Sequence, residues 1–239
     1  MSVENGQWII KGVSYDDPRC IHSADELADY VRKVGFLPLF GNTVTGFSVE
    51  EMTEGQYWWT GDARDPWAWR EQLCRYEDIA YGMFFRRKAG FIAKEWFPVF
   101  ANARRDGYDF DARMDDGLGT ARQKQIMDCF SDTPVLDSPA LKNAAGFVGE
   151  RAKYFDQTML ELEMMTYLTV DSFTRKRNKK GEAYGWSIAV YTTPEKRWGY
   201  EFVTSAYHEA PAESAKRILD DVSVRYPLSD EKGRRMILL

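Results

Sequence analysis

Five cationic side chains occupy six consecutive positions around Asn178 (Arg175, Lys176, Arg177, Lys179 and Lys180), and Gly181 follows directly. An earlier run, Arg86, Arg87 and Lys88, also ends near a glycine, Gly90. Clustered guanidinium and ammonium groups are the chemistry of phosphate contact. The same groups on a hairpin tip also keep a strand edge in water. The 239-residue chain carries a net charge of −5 and a pI near 5.3, so a polyanion site must be local rather than spread over the surface. Lys196 and Arg197 add positive charge just beyond the second run.

Aromatic and acidic residues offer further chemistry. Trp58, Trp59, Trp67 and Trp69 crowd together and could stack bases or wall a pocket. On a helix, side chains two apart point roughly 160–200° from one another, so at most one of Trp67 and Trp69 lines a given cleft, and burial in the core is the plainer role. Glu95 lies among Phe91, Trp96 and Phe97, neighbours that would supply the apolar surroundings suited to an acid or base. Glu161 and Glu163, two apart on a helix, face different ways and do not form an acid and base pair.

Many chemistries are excluded by what the sequence lacks. With only His22 and His208, no histidine-rich metal site or HExxH motif can be built; P-loop, GxGxxG and GxSxG motifs are also missing. Cys20, Cys74 and Cys129 show no CxxC spacing, which argues against a zinc knuckle or disulfide framework and for a reducing compartment. No cofactor or metal is expected. No apolar run approaches the roughly 18 residues of a membrane span, and the N-terminus lacks a signal-like pattern, so the expectation is a cytoplasmic protein.

The elements that must position these groups can be read from caps and periodicity. Ser23 with Glu26 forms a capping box, and the apolar residues that follow predict a helix over 24–34 that Gly35 closes. "FLPLF" reads as extended chain. Ser48 with Glu51 suggests a short helical turn, and Asp65 followed by Pro66 opens another helix. "DIAYGMFFRRKAGFIAKEW" reads as a hairpin turning at Lys88-Ala89-Gly90, and "RRDGYDFD" as a loop. Helices are predicted over about 120–130, from Ser138 to Gly146 with the serine as cap, and over about 150–165. A second hairpin carries the Asn178 run, and Pro211 opens a final helix.

Helices followed by a hairpin, twice over, define the expected fold: α+β, with tandem winged-helix (helix-turn-helix) units whose hairpins are the wings. The expected boundaries are 1–117 for a first unit with an N-terminal extension and 118–239 for a second unit with the C-terminal helix.

The early helix running into "VRKVGFLPLF", the "DPWAWREQL" helix and above all "YEDIAYGMFFRRKAGFIAKEWFPVF" resemble the AlkZ/YcaQ-type winged-helix DNA glycosylases, in particular the shorter AlkZ-related proteins. The resemblance covers most of residues 24–192. It implies tandem winged helices forming a concave DNA-binding surface, and excision of alkylated or crosslinked bases without a metal. The family's Gln-x-Gln or Gln-x-Asp pair follows the first helix, where this chain has Pro38 and Phe40, which cannot hold a water through their side chains. Gln123 and Gln125 lie elsewhere, in the first helix of the second unit.

The resulting expectation is a DNA-binding protein related to alkylation-repair glycosylases. Arg86, Arg87, Lys88, Arg175, Lys176, Arg177, Lys179 and Lys180 would contact phosphate from two ribbons facing one hollow, with Trp67, Trp69 and Tyr81 as pocket walls. Two alternatives stand beside it. One is an active N-glycosidic hydrolase using Glu95, Asp78 or Asp62; the other is a non-enzymatic module whose apolar cleft holds a small molecule or protein.

Overall fold

The computed structural model describes residues 2–4, 7–10, 12–178 and 180–239, with the side chains of residues 2–4, 7, 8 and 177 outside that description. A small hairpin, β1 (Ser2–Glu4) with β2 (Gln7–Ile9), precedes the body. Helix α1 (Ala24–Val34) starts as its sequence dictates, with Ser23 Oγ accepting the Glu26 amide at 3.2 Å. The reciprocal carboxylate reaches one residue further back, where Glu26 Oε2 accepts the His22 amide at 2.9 Å. Leu27, Ala28, Val31 and Val34 form the buried face. Gly35 ends the helix at φ 84°, and a Cβ there would lie 2.3 Å from the Trp96 indole nitrogen, so both backbone and space require glycine.

Strand β3 (Phe36–Pro38) follows, then α2 (Pro66–Leu73), where buried Asp65 accepts the Trp67 amide at 2.8 Å. The same carboxylate takes the Trp59 and Gly61 amides at 3.0 and 2.9 Å, fixing the preceding loop. The Ser48–Glu51 pair behaves differently from a capping box: Ser48 donates to Glu51 Oε2 at 2.6 Å and only a 3-10 turn, Val49–Met52, forms.

The first large hairpin is β4 (Ile79–Phe85) and β5 (Lys88–Ala93). Its turn is Arg86-Arg87, at φ 45° and 65°, and not the expected Lys88-Ala89-Gly90. Gly90 lies within β5 for a different reason. A Cβ on it would sit 2.5 Å from the Phe85 ring and 2.7 Å from the Leu37 carbonyl. Close packing, not a turn, selects glycine here.

Helix α3 (Phe97–Arg105) leads to α4 (Phe110–Asp115), a helix in a stretch that reads as loop from sequence; Asp109 caps it by accepting the Ala112 amide at 2.8 Å. Helix α5 (Ala121–Asp128) has a full capping box between Thr120 and Gln123. After β6 (Leu136–Asp137), α6 (Ser138–Ala144) is capped by Asp137, one residue before the expected serine. Helix α7 (Phe155–Met164) is entered through a 3-10 turn, Gly149–Tyr154. Then come β7 (Thr169–Arg177), β8 (Ala183–Thr192), α8 (Pro194–Trp198), α9 (Tyr200–Val203), α10 (Pro211–Arg225) and α11 (Glu231–Leu238). The fold is thus mixed α+β.

One antiparallel sheet of six strands, ordered β3-β5-β4-β7-β8-β6, joins both hairpins. The junction is Tyr81 of β4 paired with Val170 of β7. Because β4 and β7 run antiparallel and each leads into its own turn, the hairpins meet root to root and their turns point to opposite ends of the sheet. Among the described residues, the two hairpin turns therefore do not face the expected common hollow.

Two apolar clusters flank this junction. One gathers the first hairpin, α1 and α3, together with Ile218, Leu219 and Val222 of α10 and Ile237 and Leu238 of α11. The other gathers α5, α6 and α7 around Phe130, Phe147, Phe155 and Tyr167. The C-terminal helices thus return to the first cluster. Fully buried Arg105 links the two: its guanidinium donates to Thr166 O at 2.6 Å and pairs with Glu195 at 2.5 Å.

Candidate functional site

The β7–β8 ribbon is long, and its register shifts at two places, between Val170 and Ser172 and between Thr174 and Lys176. Such bulges bend a strand and re-aim the extra residue. At the turn, Asn178 Oδ1 accepts the Lys180 and Glu182 amides at 2.9 and 3.0 Å, while its amide group donates to Glu182 Oε2 at 2.8 Å. Asparagine therefore closes the turn through its own side chain. Arg175, Lys176 and Lys180 are exposed and form no ion pair among the described residues. Lys179 and the Arg177 side chain lie outside the described residues. The same ribbon exposes Trp186 at 81% and Tyr184 at 52%, the former among the most exposed large aromatic groups described. No chemical regularity in the sequence marked these two rings, because alternation on β8 places Trp186 in line with Ile188 and Val190.

The first tip is engaged with the protein itself. Arg86 is exposed, Arg87 Nη2 donates to Gln157 Oε1 at 3.0 Å, and the Lys88 ammonium donates to the Gly41 carbonyl. Of the eight expected phosphate contacts, these three stand at the end of the sheet opposite Arg175, Lys176 and Lys180.

The expected pocket walls divide between two environments. Trp69 is buried and its indole donates to Ala63 O at 2.8 Å. Trp67 is half-buried, its ring centre 3.9 Å from the Arg70 guanidinium, which also lies 4.3 Å from the Phe173 ring centre. Tyr81 is buried against Phe91 and Phe173, and burial pushes its phenol well up from the ordinary range. Arg70 thus stands near both Trp67 and Phe173, and Tyr81 packs on Phe173 at the sheet junction, while Trp69 hydrogen-bonds elsewhere. Arg70 also donates to Ser187 Oγ at 3.3 Å, and Ser187 donates to Glu71 at 2.6 Å, tying α2 to β8.

Pro38 is buried in β3, and Phe40 packs between Trp58 and Trp67 at ring-centre distances of 5.5 and 6.2 Å. The three sequence-proposed acids do not gather. Glu95 is exposed rather than enclosed by its aromatic neighbours, because the 3-10 turn Lys94–Trp96 directs it outward. Asp62 is an exposed loop residue that accepts the Arg64 amide at 2.9 Å. Asp78 is held by Arg32 at 2.7 Å, and that hydrogen bond keeps its carboxyl below the usual range.

Two other carboxylates occupy more constrained positions. Glu161 and Glu163 do face different ways: Glu161 binds Gln123 and Gln157, whereas buried Glu163 accepts the Met83 amide at 2.9 Å and the Tyr191 hydroxyl. Burial raises the Glu163 carboxyl to about 7. Asp171 lies at the first β7 register shift. Its only sequence signal was an acid interrupting the β-rich "LTVDSF".

The AlkZ related family model matches residues 21–238, and the chain belongs to that family. Comparison with curated proteins and with solved structures finds no match.

Proposed function

We propose that the protein binds DNA through the β7–β8 ribbon, within a tandem winged-helix arrangement of two units divided near residues 117 and 118. The opposed turns remove the case for a shared cationic saddle, so one ribbon carries the reading. Its support is the exposure of Trp186 beside Arg175, Lys176 and Lys180 on an otherwise acidic chain. Cations without internal partners fit phosphates, and a free indole fits a base plane. Membership of a family named for AlkZ points the same way. The order that supports the winged-helix part of the reading is α5, α6 and α7 leading into the β7–β8 hairpin, with α1, 3-10 turns and α2 leading into the first.

The reading is recognition without excision. Apolar Pro38 and Phe40 replace the water-holding pair, and Glu95, Asp62 and Asp78 are spent on solvent or on other side chains. Fluorescence anisotropy with labelled duplex, nicked and abasic DNA tests the binding across a salt series. Affinity should fall steeply with salt, and Arg175→Ala/Lys176→Ala/Lys180→Ala should flatten that slope by about 3. Salt-insensitive or absent binding would remove the reading. Base release from a panel of alkylated duplexes would instead restore the enzyme.

A further inference from the structure

A cavity of about 440 Å3 opens where the end of α2 meets the roots of β7 and α8. Its volume lies within the ~300–1,000 Å3 typical of small-molecule sites. Asp171 reaches it because β7 bulges there: Val170 pairs with Tyr191 and Ser172 with Val190, leaving Asp171 as the extra residue. The carboxylate of half-buried Asp171 makes no hydrogen bond or ion pair among the described residues.

Cations surround this carboxylate. Arg197 is immobilised by donating through Nη2 to the carbonyls of Cys74, Tyr76 and Ile79 at 2.8, 2.6 and 3.2 Å, and its buried Nε has no partner. Lys94 is half-buried over the Phe202 ring, and Arg75 stands exposed at the rim. Glu77 is the second carboxylate lining the cavity. The Cys74 thiol, pushed up to about 12 by burial, stays protonated and is no nucleophile.

Three cations against two carboxylates leave the cavity with one positive charge. A bare phosphate would satisfy the cations and leave Asp171 alone. An amino acid, with no net charge, would leave the excess unbalanced. A phosphomonoester carries roughly −1.5 to −2 near neutral pH, and with an ammonium group on the same molecule its sum is close to −1. We infer that this cavity binds a small aminophosphate, its ammonium on Asp171 and its phosphate on Arg75 and Lys94, with Arg197 as a fixed positive wall. The site lies at the root of the ribbon, at the opposite end of β7 from the turn cations.

Isothermal titration of the full chain at pH 7.5 and low salt tests the inference with phosphoethanolamine, glucosamine 6-phosphate and inorganic phosphate. At least one aminophosphate should bind about tenfold more tightly than inorganic phosphate, the worth of one charge-assisted hydrogen bond. Asp171→Asn should abolish that preference, because it removes the ammonium's partner, while inorganic phosphate binds at least as tightly in a cavity that has lost a negative charge. Arg75→Ala, at the exposed rim, should weaken phosphate and aminophosphate alike. No binding of either aminophosphate, equal affinity for inorganic phosphate, or a folded Asp171→Asn protein with undiminished preference would each overturn the assignment. Trp186→Ala should leave aminophosphate binding intact, which separates this site's outcome from that of the DNA reading.

Discussion

The Glu163 carboxylate of α7 accepts the Met83 amide of β4 at 2.9 Å, so an ionisable group from one helix set closes against the hairpin of the other. Burial raises this carboxyl from 4.5 to about 7, although the Met83 and Tyr191 hydrogen bonds oppose the rise. The folded chain then keeps a proton that the unfolded chain releases. The stabilisation is fully present below pH ~4.5 and is lost as pH rises through ~7, a difference on the order of 3 kcal/mol. Glu163→Gln removes the titration and retains an acceptor for Met83. Urea unfolding should find the variant more stable than the parent at pH 8 by about 1–3 kcal/mol, with little difference at pH 5. An equal difference at both pH values would mean that Glu163 does not titrate in this window.

Arg105 makes the second contact across the junction, and it is one of the largest fully buried side chains. Its guanidinium serves Thr166 O, Thr166 Oγ1 and Glu195 while lying over the Tyr167 ring at 4.4 Å. Removing one partner of such an arrangement strands the others, at about 3–5 kcal/mol. Arg105→Ala should lower the unfolding free energy by that amount. Arg105→Lys should recover only part of it, because an ammonium lacks the planar fork that reaches several acceptors. Recovery to the parent midpoint by lysine would show that charge alone matters here.

Local signals were the legible part of this fold. Ser23, Glu26 and Gly35 bracket α1 because caps act within one turn, and Asp65 with Pro66 does the same for α2. What sequence could not supply was the relation between hairpins, since a single pairing, Tyr81 with Val170, sets the turns at opposite ends. Gly90 misled the placement of the first turn because glycine is selected both for turns and for close approach, and only packing distinguishes them. The cations of the second ribbon were visible as composition. Asp171 was not, because its significance depends on a bulge that nothing in "LTVDSF" announces.

The Arg86-Arg87 turn holds two non-glycine residues at positive φ, 45° and 65°. A two-residue hairpin turn of this hand favours Asn-Gly, since side chains there crowd the backbone. Among the described residues, the side-chain hydrogen bond made by this turn is that of Arg87 with Gln157, and it is exposed. Arg86→Asn/Arg87→Gly should raise stability by about 1–2 kcal/mol in urea unfolding. The pair should also leave DNA affinity within about twofold if phosphate contact belongs to the other ribbon. A large loss of affinity would return the first tip to the interface.

Trp186 separates a binding role from a structural one more cleanly than any cation. At 81% exposure its truncation removes little packing, so Trp186→Ala should shift stability by no more than about 0.5 kcal/mol. If the indole stacks on a base, the same change should weaken DNA binding by about 1–3 kcal/mol. The loss should persist at high salt, because stacking is not screened, whereas losses from Arg175→Ala and Lys176→Ala should shrink as salt competes for phosphate. Anisotropy titrations at two ionic strengths, run beside thermal melts, distinguish these effects. A Trp186→Ala protein that melts normally and binds like the parent at both salts would leave the ribbon with charge alone, and would remove base stacking from its recognition of DNA.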